Sequence, residues 1–135
     1  MALKALHHFC IQTSVYEESV EFYTKILGFE LIKEDNYTPK RAYHTWLKLG
    51  QFLIELQTSK CAKPFSKYTP LSQGIVHMSF LVDNAQEEFE QIQSLGFTGF
   101  KSKHGQLVYK IPGGKQFKLV APEGTEIEIR DSVEV

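Results

Sequence analysis

Long hydrophobic runs are missing from this 135-residue chain, in which no stretch of consecutive apolar residues exceeds three. A bilayer-spanning helix needs about 20 such residues and a signal-peptide core roughly 7–15, so neither is expected. Cysteine is scarce: Cys10 and Cys61 do not make a disulfide framework, and no CxxC pair is present. An excess of one charge is also lacking. Lys plus Arg total 15, Asp plus Glu total 16, and the net charge is −1. General affinity for nucleic acid or anionic membrane therefore has no electrostatic basis. With 42% hydrophobic and 23% charged residues, the chain has the composition of one soluble globular domain, expected in the cytoplasm. Its length suffices for a core without staples, which become necessary below roughly 40 residues. What is plentiful is aromatic side chains, 13% of the total, ten of them Phe.

Periodicity divides the chain into elements. In ALHHFCIQT, residues 5–13, His7, Phe9, Ile11 and Thr13 point one way and His8, Cys10 and Gln12 the other, a strand with one apolar and one partly polar face. Ser14 with Glu17 has the spacing of a capping box, and Val20, Tyr23, Ile26 and Leu27 follow at helical spacing up to Gly28. Strands are expected at Phe29–Lys33, His44–Leu49 and Phe52–Gln57, the last two joined by a tight turn at Gly50-Gln51. Asn36–Lys40, with Pro39, reads as a turn, and residues 58–73 as a loop.

The order then recurs. Gly74–Val82 reads as a strand, Asn84 with Glu87 as a cap, Ala85–Leu95 as a helix ended by Gly96, and Phe97–Lys101 as a strand. A looser stretch over 102–114 holds a short strand at Leu107–Ile111. Strands at Gln116–Ala121 and Thr125–Arg130 flank a turn at Pro122-Glu123-Gly124. Leu-Gly-Phe occurs at 27–29 and again at 95–97, each time after a helix that follows a strand bearing a histidine. The fold class is therefore α+β, two tandem βαβββ modules over about 5–58 and 74–131 with a linker at 59–73.

The polar faces repeat as well. His8 on the first strand of module one is matched by His77 in module two, and Glu55 on the last strand by Glu128. A single strand histidine is more often structural than a ligand, and a single strand glutamate usually faces water. Recurrence of both weakens that reading. Two carboxylates and two imidazoles in one concavity are neutralised by a divalent cation, and this donor set suits zinc, nickel or cobalt. Nearby residues read as structural. His7 faces away from His8, Glu126 sits at the rim or in solvent, His44 is at the cavity mouth, and His104 is exposed. Cys10 either lines the pocket or packs as a small buried hydrophobe.

LHHFCIQTSVYEESVEFYTKILGFEL, FLIELQ, GIVHMSFLVDNAQEEFEQIQSLGF and LVAPEGTEIEIRD together resemble the glyoxalase I-like members of the vicinal oxygen chelate superfamily, over residues 5–131. The resemblance implies paired modules curling a mixed sheet around one divalent metal held by His8, Glu55, His77 and Glu128. Nickel or cobalt is favoured, with zinc as the alternative. It implies isomerisation of the hemithioacetal of methylglyoxal and a thiol to a D-lactoyl thioester through an enediolate, with Glu128 as base and Glu55 as its partner. It also implies a homodimer with sites at the subunit interface, His8 and Glu55 from one chain and His77 and Glu128 from the other.

Where glutathione-dependent bacterial members carry Arg on the first strand and Asn after the second ligand, this chain has Gln12 and Ser59, which argues against glutathione. Lys101, Lys103, Lys110 and Lys115 either meet anionic carboxylates or form a solvated face. A methylmalonyl-CoA epimerase-like enzyme is the alternative, although such enzymes carry Gln where this chain has Glu55. Two-His, one-Glu transferases and dioxygenases are disfavoured by the same residue. A non-catalytic binding protein on this fold has no need of four ligands.

Overall fold

The computed structural model describes residues 2–36 and 40–135. Most of the turn expected at Asn36–Lys40, including Pro39, lies outside the described residues. The chain divides into two compact units, Met1–Lys67 and Tyr68–Val135.

In the first unit, β1 (His8–Gln12) leads into α1 (Tyr16–Glu21), then β2 (Glu30–Asp35), β3 (His44–Leu49) and β4 (Phe52–Gln57). The sheet order is β1-β4-β3-β2, with β1 and β4 parallel and the other pairs antiparallel. The expected Gly50-Gln51 turn is present. Gly50 takes a φ of 57°, which glycine adopts without a Cβ clash, and Leu49 pairs directly with Phe52. The inward face of β3 and β4 carries Leu47, Ile54 and Leu56, all fully buried. These pack with Phe22, Tyr23 and Phe29 as the core of the unit.

The capping box expected at Ser14 and Glu17 does not form. Val15 occupies the cap position with no side-chain cap bond. The hydroxyl of buried Thr13, just past the end of β1, accepts from the Val15 N–H at 3.0 Å and lies 2.8 Å from the Ser19 hydroxyl. This Thr hydroxyl holds the turn into α1 but caps none of the helix's first-turn N–H groups. The helix then widens into a π turn over Phe22–Ile26, with Leu27 N–H donating to the Phe22 carbonyl. The wide turn lets consecutive residues, Phe22 and Tyr23, both enter the core.

In the second unit, β5 (His77–Leu81) leads into α2 (Ala85–Ser94), followed by β6 (Phe100–Lys101), β7 (Val108–Ile111), β8 (Gly114–Val120) and β9 (Glu126–Arg130). The order is β5-β9-β8-β6, with β7 also paired to β8. β5 and β9 run parallel, as β1 and β4 do. The Asn84 cap forms as expected, its side chain accepting from Glu87 N–H at 3.0 Å. Phe89 of α2 meets Phe100 at 4.6 Å and Phe117 at 5.6 Å between ring centres, above fully buried Leu119 and Ile127.

Two strands are shorter than expected. Ile75 and Val76 are 68% and 55% exposed and precede β5, and Phe97–Gly99 precede β6. At Gly99, whose carbonyl accepts from Val120 N–H at 2.9 Å, a Cβ would stand 2.6 Å from the Phe97 ring and 3.0 Å from the Val120 carbonyl, so a larger residue would require that ring to shift.

Candidate metal-ligand pairs and the sheet faces that carry them

In the first unit the parallel register sets Cys10 beside Glu55, and the hairpin register sets Trp46 across from Glu55 and His44 across from Gln57. His8, Cys10, Glu55, His44 and Trp46 therefore share one face, opposite the apolar core. His8 Nε2 lies 3.0 Å from Glu55 Oε2, and His44 Nε2 lies 2.5 Å from Glu55 Oε1. Trp46 stands edge-on to both imidazoles, 4.9 Å from His8 and 5.8 Å from His44.

Two expectations change here. His7 does not face away from His8: it precedes β1, and its Nδ1 sits 2.8 Å from His8 Nδ1. That contact leaves Nε2 of His8 to meet Glu55, a secondary contact of the kind that orients a ligating imidazole. Cys10 is exposed rather than packed as a small hydrophobe. Partial desolvation and the Glu55 charge push its thiol pKa up. His44 is more than a mouth residue, since it holds one oxygen of the Glu55 carboxylate.

In the second unit His77 Nε2 lies 3.5 Å from Glu128 Oε2. Glu128 is buried. Directly across the ladder is Lys118, its Nζ 3.5 Å from the same oxygen. Gln116 Nε2 also reaches Oε2 at 3.5 Å and donates to the Tyr109 hydroxyl at 2.9 Å. Glu126 is not a solvent-facing rim residue. It accepts from Lys101 at 2.8 Å and pairs with Lys118 at 3.3 Å. Burial pushes the Glu126 carboxyl pKa up, but the two ammoniums outweigh it and hold the group below its ordinary range. For Lys118 burial pulls downward, and pairing with Glu126 and Glu128 reverses it, so its pKa is raised. His104 is exposed, as expected.

The structure thus brings His8 together with Glu55 and His77 together with Glu128, each pair within one unit. Among the described residues no three His, Cys, Asp or Glu side chains surround a common point. His8 and His44 take different oxygens of Glu55, so they bracket the carboxylate. The donor chemistry nevertheless fits a divalent ion. Two ligands about 2.0–2.2 Å from a borderline cation, at angles near 90–110°, lie roughly 3.0–3.5 Å apart. The two His–Glu separations are 3.0 and 3.5 Å.

Sequence reasoning missed Lys118, Gln116 and Tyr109 and undervalued His44 and Trp46. The signal for the last two was available. A two-residue turn at Gly50-Gln51 fixes Leu49 against Phe52, and counting back places Trp46 opposite Glu55. Arg41 also alters the first-strand reading: its guanidinium donates to Gln12 Oε1 at 3.0 Å, returning a cation to the position where the first strand lacks one.

Two parallel-closed βαβ sheets, each with a His–Glu pair on its polar face, define a vicinal-oxygen-chelate type of α+β protein. The model of the Glyoxalase/Bleomycin resistance protein/Dioxygenase superfamily matches residues 5–108, and the chain belongs to that superfamily. It is 33% identical over 97 residues to the uncharacterized protein YwkD of Bacillus subtilis, covering 71% of this chain and 75% of that one. The solved glyoxalase family protein from Enterococcus faecalis superposes with a TM-score of 0.73 at 26% identity, covering 97% and 100% of the two chains. Lactoylglutathione lyase from Agrobacterium tumefaciens shares the fold, with a TM-score of 0.69 at 15% identity over 98% and 96% of the chains. No helix among the described residues is long and apolar enough to cross a membrane.

Proposed function

We propose that this protein is a metal-dependent lyase of the glyoxalase I type, acting on the hemithioacetal of methylglyoxal and a thiol. The observation that carries this reading is the recurrence of one His–Glu pair at the parallel strand junction of each unit, His8 with Glu55 and His77 with Glu128. In the proposal each pair supplies half of the donors for one divalent ion, nickel or cobalt before zinc, in a homodimer. When bound, such an ion supplies Lewis acidity to two adjacent substrate oxygens.

The residues of this chain do the rest. Glu55 has both carboxylate oxygens engaged by imidazoles, His8 and His44, so it is built to hold position. The three contacts of Glu128, from His77, Lys118 and Gln116, all converge on Oε2. Glu128 is accordingly the base. It takes the proton from the carbon that bears the hydroxyl and sulfur and returns it to the neighbouring carbonyl carbon, while the hydroxyl proton passes to the other oxygen, leaving a D-lactoyl thioester. Its shielding from solvent limits exchange of that proton with water. Ser59 favours a thiol other than glutathione, whereas the loss of Arg at Gln12 is offset by the Arg41 guanidinium that donates to it.

The test is a thiol panel. Protein loaded with nickel or with zinc is given methylglyoxal with glutathione, bacillithiol, coenzyme A or no thiol. Thioester absorbance is expected with at least one thiol. Its absence from every arm, with the metal bound, overturns the proposal in favour of an epimerase-type proton transfer.

A further inference from the structure

Tyr109, Gln116 and Glu128 stand on one face of the second sheet. Tyr109 pairs with Gln116 across β7–β8, Gln116 pairs with Arg130 across β8–β9, and Glu128 lies two residues before Arg130. All three side chains are buried, each with 8% of its residue surface exposed. A buried polar group is costly unless its hydrogen bonds are made, so the destination of each proton in this row matters.

The Gln116 amide settles those destinations. Its Nε2 donates one hydrogen to the Tyr109 oxygen at 2.9 Å and turns the other toward Glu128 Oε2 at 3.5 Å. Flipped, the amide would set its carbonyl against the Glu128 carboxylate, two acceptors with no proton between them. The Tyr109 oxygen is therefore the acceptor in this contact, and its own hydrogen is left over. Among the described residues no group accepts that hydrogen. The Lys103 ammonium cannot, because it is itself a donor and sits over the ring, 5.1 Å from its centre. The spacing suits a reacting centre. Two hydrogens leaving one amide nitrogen at about 120° set the Tyr109 oxygen roughly 5.5 Å from Glu128 Oε2. A carbon about 3.2 Å from Oε2, with the oxygen it carries, spans that gap and leaves a hydrogen bond of about 2.7 Å to the phenol.

We infer that Tyr109 donates a hydrogen bond to the substrate oxygen borne by a carbon whose proton Glu128 carries. Gln116 is the positioning residue, holding the phenol by its lone pair so that the O–H is turned to the ligand. Such a donor is worth most toward an oxygen that bears negative charge, so Tyr109 selects ligands whose oxygen is anionic or becomes so during reaction. The inference rests on Glu128 as the base of the proposed reaction, but it does not depend on which thiol is used or on whether the product is a thioester.

The test compares two probes on zinc-loaded protein by calorimetry. Acetohydroxamate is an anionic chelator with two adjacent oxygens, and imidazole is a neutral metal ligand with none. Tyr109→Phe is expected to weaken acetohydroxamate about tenfold, the usual worth of a hydrogen bond to a charged oxygen, and to leave zinc and imidazole binding within about twofold. Wild-type protein carrying ¹³C at the oxygen-bearing ring carbon of its six tyrosines gives a reading that needs no variant. A single tyrosine signal should move with acetohydroxamate and stay with imidazole. Equal weakening of both probes, weakening of neither, or a tyrosine signal that ignores acetohydroxamate would each overturn the inference. A thiol panel without thioester, alongside the expected probe results, would remove the lyase reading and leave Tyr109 in place. Thioester formation with unchanged acetohydroxamate affinity in Tyr109→Phe would do the reverse. Wild-type protein that takes up no metal would overturn both.

Discussion

Lys118 Nζ and Glu128 Oε2 face each other across the β8–β9 ladder at 3.5 Å, and the same oxygen lies 3.5 Å from His77 Nε2. A fixed cation therefore stands beside a proposed metal donor. Unit charges ~4 Å apart interact by about 4 kcal/mol at an effective dielectric of 20, before relaxation and screening reduce it. Replacing Lys118 by Met should thus strengthen nickel or cobalt binding, by about tenfold once Lys118's alternative partner Glu126 is allowed for. Competition against a chromogenic chelator measures this. Unchanged or weaker affinity would show that Glu128 does not ligate.

His44 and His8 hold opposite oxygens of Glu55, but they should differ in consequence. His8→Ala removes a donor and should abolish stoichiometric binding of about one ion per chain. His44→Ala leaves the donor set intact and loosens only the orientation of Glu55. Loss of such a supporting contact costs about 10–100-fold in metal affinity. Metal content after dialysis separates the two. If the variants are equally impaired, His44 is itself a ligand.

These partners show how far the sequence could be read. The βαβββ repeat, the Asn84 cap and the His–Glu pairs follow from alternation and offsets along the chain. His44 needed one more step, the register imposed by the Gly50-Gln51 turn. Lys118 needed the register of β8 against β9, and the Pro122-Glu123-Gly124 turn that joins them is longer than two residues, so its position in the sequence does not by itself fix which residues pair. The misread capping box has the same origin. Ser14 and Glu17 have suitable spacing, but the buried Thr13–Ser19 hydroxyl contact decides where the chain turns, and that depends on tertiary burial. His7 was misassigned because alternation was extended one residue beyond the start of β1.

Asp131 accepts from the backbone N–H groups of Ala85 at 2.9 Å and Lys115 at 2.7 Å, tying the start of α2 to β8. Those two bonds, Ala85 first, hold its carboxyl below the ordinary value of 3.8. A carboxylate with a depressed folded pKa contributes stability that is complete above the unfolded value. That contribution is lost as the pH falls through the folded one. Asp131→Asn should therefore destabilise the protein at pH 7 by about 1 kcal/mol, the usual scale for losing a charged cap. The wild-type and variant denaturant curves should converge in acid, once the pH has fallen below the folded pKa. A gap that persists unchanged at low pH would mean that the charge plays no part.

The two glutamates should separate in function because their oxygens are occupied differently. Glu55 is clamped from both sides by His8 and His44, whereas the contacts of Glu128 gather on Oε2. Glutamine keeps the shape and one carbonyl donor in either place but cannot carry a proton back and forth. In Glu55→Gln the main loss should be of metal affinity, so excess nickel should restore much of the turnover. In Glu128→Gln turnover should fall about 10²–10⁴-fold, the usual worth of a positioned base, and saturating metal should not recover it. Substrate carrying deuterium at the transferred position adds a second readout: a primary isotope effect on wild-type turnover requires that the proton leave carbon in the slow step. Rescue of Glu128→Gln by metal, with none for Glu55→Gln, would reverse the assignment and make Glu55 the base, despite the imidazoles on both its oxygens.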